Sequence, residues 1–137
     1  MVVRLYKARR GVAARWALRD SILVSGDLMR IQLLTFAGCA NADAARELLA
    51  RVLASSDAVH VVEDIDTGAS GTPEHYREYG SPTILVDGEP IGGGEPIEGS
   101  CCRLYRDEQG RLVGVPPESA LRAALVQRAR PRRAAGT

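Results

Sequence analysis

From Arg30 the chain enters an apolar run, Ile31-Gln32-Leu33-Leu34-Thr35-Phe36, closed by Ala37-Gly38. A short apolar run bounded by a turn signal predicts a buried β-strand. After Cys39, the residues Ala45, Leu48, Leu49, Val52 and Leu53 fall at i, i+3, i+4, i+7 and i+8, the spacing of one buried helical stripe. Arg46, Glu47 and Arg51 take the opposite, wet face. Asn41 is placed to cap this helix, and Asp43 favours its positive end. Ser55-Ser56-Asp57 ends it, and Val59-His60-Val61-Val62-Glu63 reads as a second strand. Strand, helix and strand within about thirty residues predict a βαβ unit, with parallel strands and a right-handed crossover.

Thr67 to Gly71 reads as a loop. Thr72-Pro73-Glu74 then opens a short helix, with Thr72 as cap and Pro73 at its first position, and Gly80 stops it. Thr83-Ile84-Leu85-Val86, introduced by Ser81-Pro82, is a third strand. Asp87-Gly88 is a strong two-residue hairpin signal, from which Glu89-Pro90-Ile91 returns. Gly92-Gly93-Gly94 breaks that strand, and residues 95–102 read as a flexible loop. Arg103 to Tyr105 and Leu112 to Val115 are set to pair around Asp107-Glu108-Gln109-Gly110. The last helix starts near Pro116-Pro117-Glu118, with Ala120, Leu121, Ala124 and Leu125 as its apolar face.

Met29 is a natural start for the folded unit. Residues 1–28 read as a basic N-terminal extension with little part in the fold, and residues 127–137 as a basic C-terminal tail. A short docking helix built on Leu5, Trp16, Leu18, Ile22 and Leu23 is the alternative for the first segment. Charge supports this division. Each end contributes +4, whereas residues 29–126 hold 8 basic and 15 acidic residues, about −7, inside a net +1. An acidic body with basic ends argues against a dedicated nucleic-acid binder, which concentrates positive charge on its folded face. The plain reading of both ends is solvated, partly disordered chain. No stretch approaches the ~18 apolar residues of a membrane span, and the start lacks the apolar core of a secretory signal. An Arg-rich, acid-poor transit peptide is a minor alternative, and cytoplasm is the default. There the three cysteines are expected to be reactive or ligating rather than structural.

The order β-α-β-α-β-β-α, Phe36-Ala37-Gly38-Cys39 after the first strand, and Gly80-Ser81-Pro82-Thr83 before the third together resemble the thioredoxin-like superfamily. Residues 29–126 are thus expected to form an α/β, thioredoxin-like domain with a mixed central sheet. Gly38-Cys39-Ala40-Asn41-Ala42, the run from Gly80 to Gly88 and Cys102-Arg103-Leu104-Tyr105 are similar to small bacterial members of undefined activity, some labelled alkylmercury lyase. The resemblance covers residues 30–126, about seven tenths of the chain. It implies a reactive cysteine at Cys39 and a cis-proline at Pro82 facing it. It also implies a substrate groove along Ser81, Pro82 and Thr83, in which a cis bond exposes Ser81 backbone to an extended partner.

The chemistry of Cys39 has its own argument. A thiol at a helix N-terminus faces unpaired N–H groups and the positive dipole end, which favour thiolate, the form that attacks and ligates. A buried, inert cysteine is the bland alternative. In Cys39-Ala40-Asn41-Ala42 an alanine stands where the resolving thiol of a Cys-x-x-Cys motif belongs. A resolving thiol must therefore come from Cys101 or Cys102, carried towards Cys39 by a loop hinged on the glycine run. Quiet packing of those two, or a strained disulfide between them, is the competing reading. His60 and His75 have no partner at metal-ligand spacing and are assigned to structure or solvent. Gly92-Gly93-Gly94 is not a phosphate loop, and Glu95, Glu98 and Asp107 form no carboxylate pair.

Three functions follow. The first is thiol-disulfide exchange without a cofactor, in which Cys39 attacks a protein or small-molecule disulfide and Cys101 or Cys102 resolves it. The second is soft-metal or organomercurial handling by Cys39, Cys101 and Cys102, with Asp43 as candidate proton donor for carbon–mercury cleavage. The third is a non-catalytic binding module. Neither nucleic acid nor membrane is an expected partner.

Overall fold

The computed structural model describes residues 2–7, 29–56, 59–96 and 102–129. The trace runs β1 (Val2–Lys7), β2 (Met29–Thr35), α1 (Ala42–Ala54), β3 (Val59–Asp66) and a short 3-10 helix (Glu74–Tyr79). It continues through β4 (Thr83–Val86), β5 (Glu89–Pro90), β6 (Glu95–Pro96), β7 (Arg103–Arg106), β8 (Leu112–Val113) and α2 (Glu118–Ala129). The class is mixed α/β. A five-stranded sheet has the order β1-β3-β2-β4-β5, and a three-stranded sheet the order β6-β7-β8.

The centre of the larger sheet is the expected βαβ unit. β2 and β3 pair in parallel, with Leu33 opposite Asp64 and Thr35 opposite Asp66. β4 joins β2 antiparallel, and β5 returns along β4 through the Asp87-Gly88 turn, where φ is 49° and 86°. Those positive angles are what a two-residue hairpin loop demands. Asp87 also locks the hairpin to its neighbour: its carboxylate accepts the Arg30 N–H at 2.9 Å, and its own N–H donates to Arg30 O at 2.8 Å.

One face of the sheet carries the main core. Met29, Ile31 and Leu33 of β2, Val62 of β3, and Ile84 and Val86 of β4 meet the stripe Ala45, Leu48, Leu49, Val52 and Leu53 of α1. Leu121 and Leu125 of α2 close it. The opposite face buries Leu34, Ile65 and Leu85 under Tyr76 and Tyr79 of the 3-10 helix. Beside them lies a polar group: Arg30 Nε donates to Glu63 at 2.6 Å, and Gln32 Nε2 donates to Tyr76 Oη at 3.0 Å. Both faces of β2 are thus covered, which is why its sequence is a continuous apolar run rather than an alternation.

Several expectations are corrected. Residues 2–7, read as part of an extension, form an edge strand antiparallel to β3, with Val3 opposite Glu63 and Leu5 opposite Val61. Val2, Val3 and Tyr6 are strong strand formers, and pairing along β3 uses backbone rather than charge. The folded unit also runs to Ala129, past residue 126. The segment expected to be a flexible loop begins with β6, which pairs Glu95 with Leu104 and Pro96 with Arg103. The glycine run before it is fastened, because Gly93 O and Gly94 O accept Arg103 Nη2 at 2.5 and 3.1 Å. Thr72 does not cap the short helix. Its hydroxyl donates to Asp66 O at 2.8 Å, and Pro73 occupies the cap position. The proposed docking residues Trp16, Leu18, Ile22 and Leu23, the loop carrying Cys101, and residues 130–137 lie outside the described residues. Among the described residues, no helix is long and apolar enough to cross a membrane.

Candidate functional site

Parallel pairing of β2 and β3 brings their carboxyl ends side by side, and the crevice beyond such ends is where open α/β sheets place ligands. Here it begins with a tight turn. The Cys39 N–H donates to Phe36 O at 3.0 Å, closing Phe36-Ala37-Gly38-Cys39. Gly38 has φ 89°, a conformation that costs any residue with a Cβ about 1–2 kcal/mol. Cys39 O then accepts the Ala42 N–H at 3.3 Å, and α1 starts at Ala42 with Asn41 as its N-cap. Cys39 therefore precedes the first helical turn rather than sitting in it. Its thiol is free and half-buried.

Asn41 occupies the cap position but makes no side-chain cap bond. Its amide instead packs on Gly114, where an added Cβ would overlap it. Gly114→Ala is expected to push the Asn41 amide off this seat. Because that amide is the end of a side chain with no cap bond to lose, the cost stays within about 1 kcal/mol, read as a small lowering of the urea midpoint. An unchanged midpoint would show that the contact imposes nothing.

An open cleft of about 640 Å³ lies against the thiol, lined by Thr35, Cys39, Asp43, Arg46, Asp64 and Asp66 among others. Arg46, read from sequence as a wet-face residue, spans this cleft. Its Nε donates to Asp64 at 2.7 Å, Nη1 to Asp43 at 3.0 Å and Nη2 to Thr35 Oγ1 at 3.3 Å. The hydrogen bond that Arg46 donates to Asp64 chiefly, with a smaller contribution from Asp43, holds the guanidinium above its ordinary value. Asp43, the candidate proton donor, is the most exposed of the group, with 93% of its side chain accessible, and Arg46 is its ion-pair partner. Asp66 accepts the Gly68 N–H at 2.9 Å.

The Ser81–Pro82 bond is cis. Ser81 joins the end of β2, because its hydroxyl accepts the Phe36 N–H at 3.1 Å. Yet the expected groove is not open. Ser81 and Thr83 are buried at 1% and 0%, and Pro82 is buried with them. The Ser81 carbonyl already accepts the Arg103 N–H at 3.0 Å, so it is not offered to an extended partner. The chain's own segment takes that edge, with Cys102 bridged to Ser81 in parallel register. Tyr105 secures it by donating its hydroxyl to Pro82 O at 2.5 Å.

Cys39 is thus tied by its N–H to Phe36, and Cys102 is bridged to Ser81, the residue whose hydroxyl accepts the Phe36 N–H; both cysteines are half-buried. Cys101 lies outside the described residues. Among the described residues, no group of three or more His, Cys, Asp or Glu side chains is placed to hold a metal ion. His75 is exposed and packs on Tyr76, with ring centroids 4.2 Å apart. His60 is buried to 1% on the helix-covered face, as its structural assignment requires. Sequence reading missed Arg46, Asp64 and Asp66. The signal for the two aspartates was their place at the carboxyl end of a strand parallel to β2. For Arg46 it was the i,i+3 spacing from Asp43. No protein family, curated protein or solved structure matches the chain.

Proposed function

We propose that the protein is a thioredoxin-like thiol protein that performs thiol-disulfide exchange through Cys39, with a distal thiol, Cys102 or Cys101, as the resolving partner. The observation that carries this reading is the placement of a free, half-buried Cys39 at the β2–α1 turn, against an open cleft at the carboxyl ends of two parallel strands. The sheet order β1-β3-β2-β4-β5 supports the thioredoxin-like assignment. The bridge from Cys102 to Ser81, and the bond from Phe36 to Ser81, support the choice of resolving partner.

In the reaction the Cys39 thiolate attacks one sulfur of a disulfide R–S–S–R. A Cys39–S–R bond forms, and the other RS⁻ leaves with the electron pair and takes a proton from water. The second thiolate then attacks Cys39 Sγ, releasing R–S⁻ and leaving an intramolecular disulfide. Two electrons have passed from the protein to the substrate.

The test is incubation of the full chain with the neutral 2-hydroxyethyl disulfide, followed by peptide mapping. The native chain is expected to end as an intramolecular disulfide joining Cys39 to Cys102 or Cys101. The Cys101→Ser/Cys102→Ser variant should stop at a 2-mercaptoethanol adduct on Cys39, and Cys39→Ser should give neither product. An adduct found only on Cys101 or Cys102, with Cys39 untouched, would overturn the proposal.

A further inference from the structure

The cleft beside Cys39 is lopsided in charge. Its walls carry Asp43, Asp64 and Asp66 against one guanidinium, Arg46, a formal −2. Arg46 has little to offer an incoming anion, because Asp43, Asp64 and Thr35 engage four of its five N–H donors. Asp64 is the aspartate most enclosed by that pairing, with 16% of its side chain accessible. Asp43 and Asp66 are exposed, so two carboxylates of the lining face any molecule that enters. The folded body, β1 together with residues 29–129, holds 11 basic and 15 acidic residues, about −4, so its field adds to the local one.

We infer that the cleft selects disulfides that carry ammonium or guanidinium groups close to the reacting sulfur, and disfavours anionic ones. The inference rests on the reading of Cys39 as the attacking thiol and adds to it a substrate class. A positive group beside the scissile bond would lie over Asp43 and Asp66 while Cys39 attacks. A carboxylate in the same place would meet like charge and a guanidinium with a single N–H left to give. Clefts lined by one sign of charge raise encounter rates with the opposite sign by about tenfold or more, and salt screens that gain.

The test uses the full chain carrying Cys101→Ser and Cys102→Ser, in which Cys39 is the remaining thiol, since the sequence holds three cysteines. Three disulfides of similar shape serve as probes: cystamine (cationic), 2-hydroxyethyl disulfide (neutral) and 3,3′-dithiodipropionate (anionic). Second-order rates of adduct formation are read by mass spectrometry. Each is divided by the rate with the neutral thiol N-acetylcysteine amide, which removes the intrinsic reactivity of the probe. The normalised cystamine-to-dithiodipropionate ratio is expected to reach about tenfold at about 0.01 M salt and to collapse towards one at about 1 M. Asp43→Asn/Asp66→Asn, which brings the lining to neutrality through two exposed positions, should collapse it at low salt as well.

A ratio near or below one in the parent, with adducts from all three probes on Cys39, overturns the charge selection and leaves Cys39 chemistry standing. A tenfold ratio that survives the double aspartate substitution overturns it too, because the cleft would not be its source. Failure of every probe to react at Cys39 defeats both this inference and the reading beneath it.

Discussion

Tyr105→Ala is expected to destabilise the protein by about 3–5 kcal/mol, the range for removing a buried aromatic ring. Tyr105 is fully buried at 0%. It lies in β7 between β6 and β8, so its ring is the main apolar anchor of the smaller sheet. Its hydroxyl donates to Pro82 O at 2.5 Å, and the Arg103 guanidinium carbon lies 5.6 Å from its ring centroid. Burial pushes the phenol above its ordinary value, so it remains a donor across the ordinary pH range. Tyr105→Phe keeps the ring, loses the hydroxyl and leaves Pro82 O without that donor. It should cost about 1–2 kcal/mol. Equilibrium urea unfolding, with the midpoint shift multiplied by m, reads both losses. A loss below about 1 kcal/mol for Tyr105→Ala would contradict the packing of β7. The ring also holds the strand that begins just after Cys102. Tyr105→Ala is therefore expected to slow the second, intramolecular step of disulfide exchange more than the first attack by Cys39.

What could be read from sequence was whatever is local. The strand into Cys39, the α1 stripe, the Asp87-Gly88 hairpin and the α2 face each rest on periodicity or turn chemistry within a few residues. The structure has all of them. What escaped was long-range. β1 joins the sheet only by pairing with β3 more than fifty residues later, and its Arg4 and Lys7 made it look like a tail. Arg46 has a solvent-side position in the helical pattern, yet its main partner is Asp64 on another element, 18 residues away. Arg103 reads as an ordinary strand charge. It is 7% exposed, with Tyr79 O, Gly93 O and Gly94 O as acceptors. That contact turns a glycine run from an apparent hinge into a fixed segment. The candidate site divides in the same way. Cys39 was legible from its turn, whereas the occupied edge of Ser81 depends on β7 and could not be seen before the two were brought together.

The face taken by His60 was also unreadable, because Val59 to Asp66 shows no clean alternation. The structure buries it, and a loss of stability with acid follows. His60 lies on β3 between Met29 of β2 and Tyr6 of β1 in register. Its Nε2 is 3.4 Å from Ser56 Oγ, and among the described residues Nδ1 has no hydrogen-bond partner. Burial pushes the imidazole down from 6.5 to about 4. Between those values the unfolded chain takes a proton that the folded chain refuses. The contribution is therefore complete above pH 6.5, falls as pH drops, and is gone near pH 4. The total is about 3 kcal/mol at ~1.4 kcal/mol per unit. Asp107 and Glu118 act in a lower window. The Arg111 backbone N–H holds Asp107 below its ordinary 3.8, and the Arg51 and Arg122 side chains hold Glu118 below its ordinary 4.5. Their stabilisation is lost only as pH falls further. His60→Leu removes the titrating group while keeping an apolar side chain of similar size. Urea unfolding of both proteins at neutral pH and near pH 4.5 isolates the effect. The native chain should lose about 2–3 kcal/mol more than the variant between the two conditions. Equal losses would show that His60 is protonated as readily in the folded protein as in the unfolded chain.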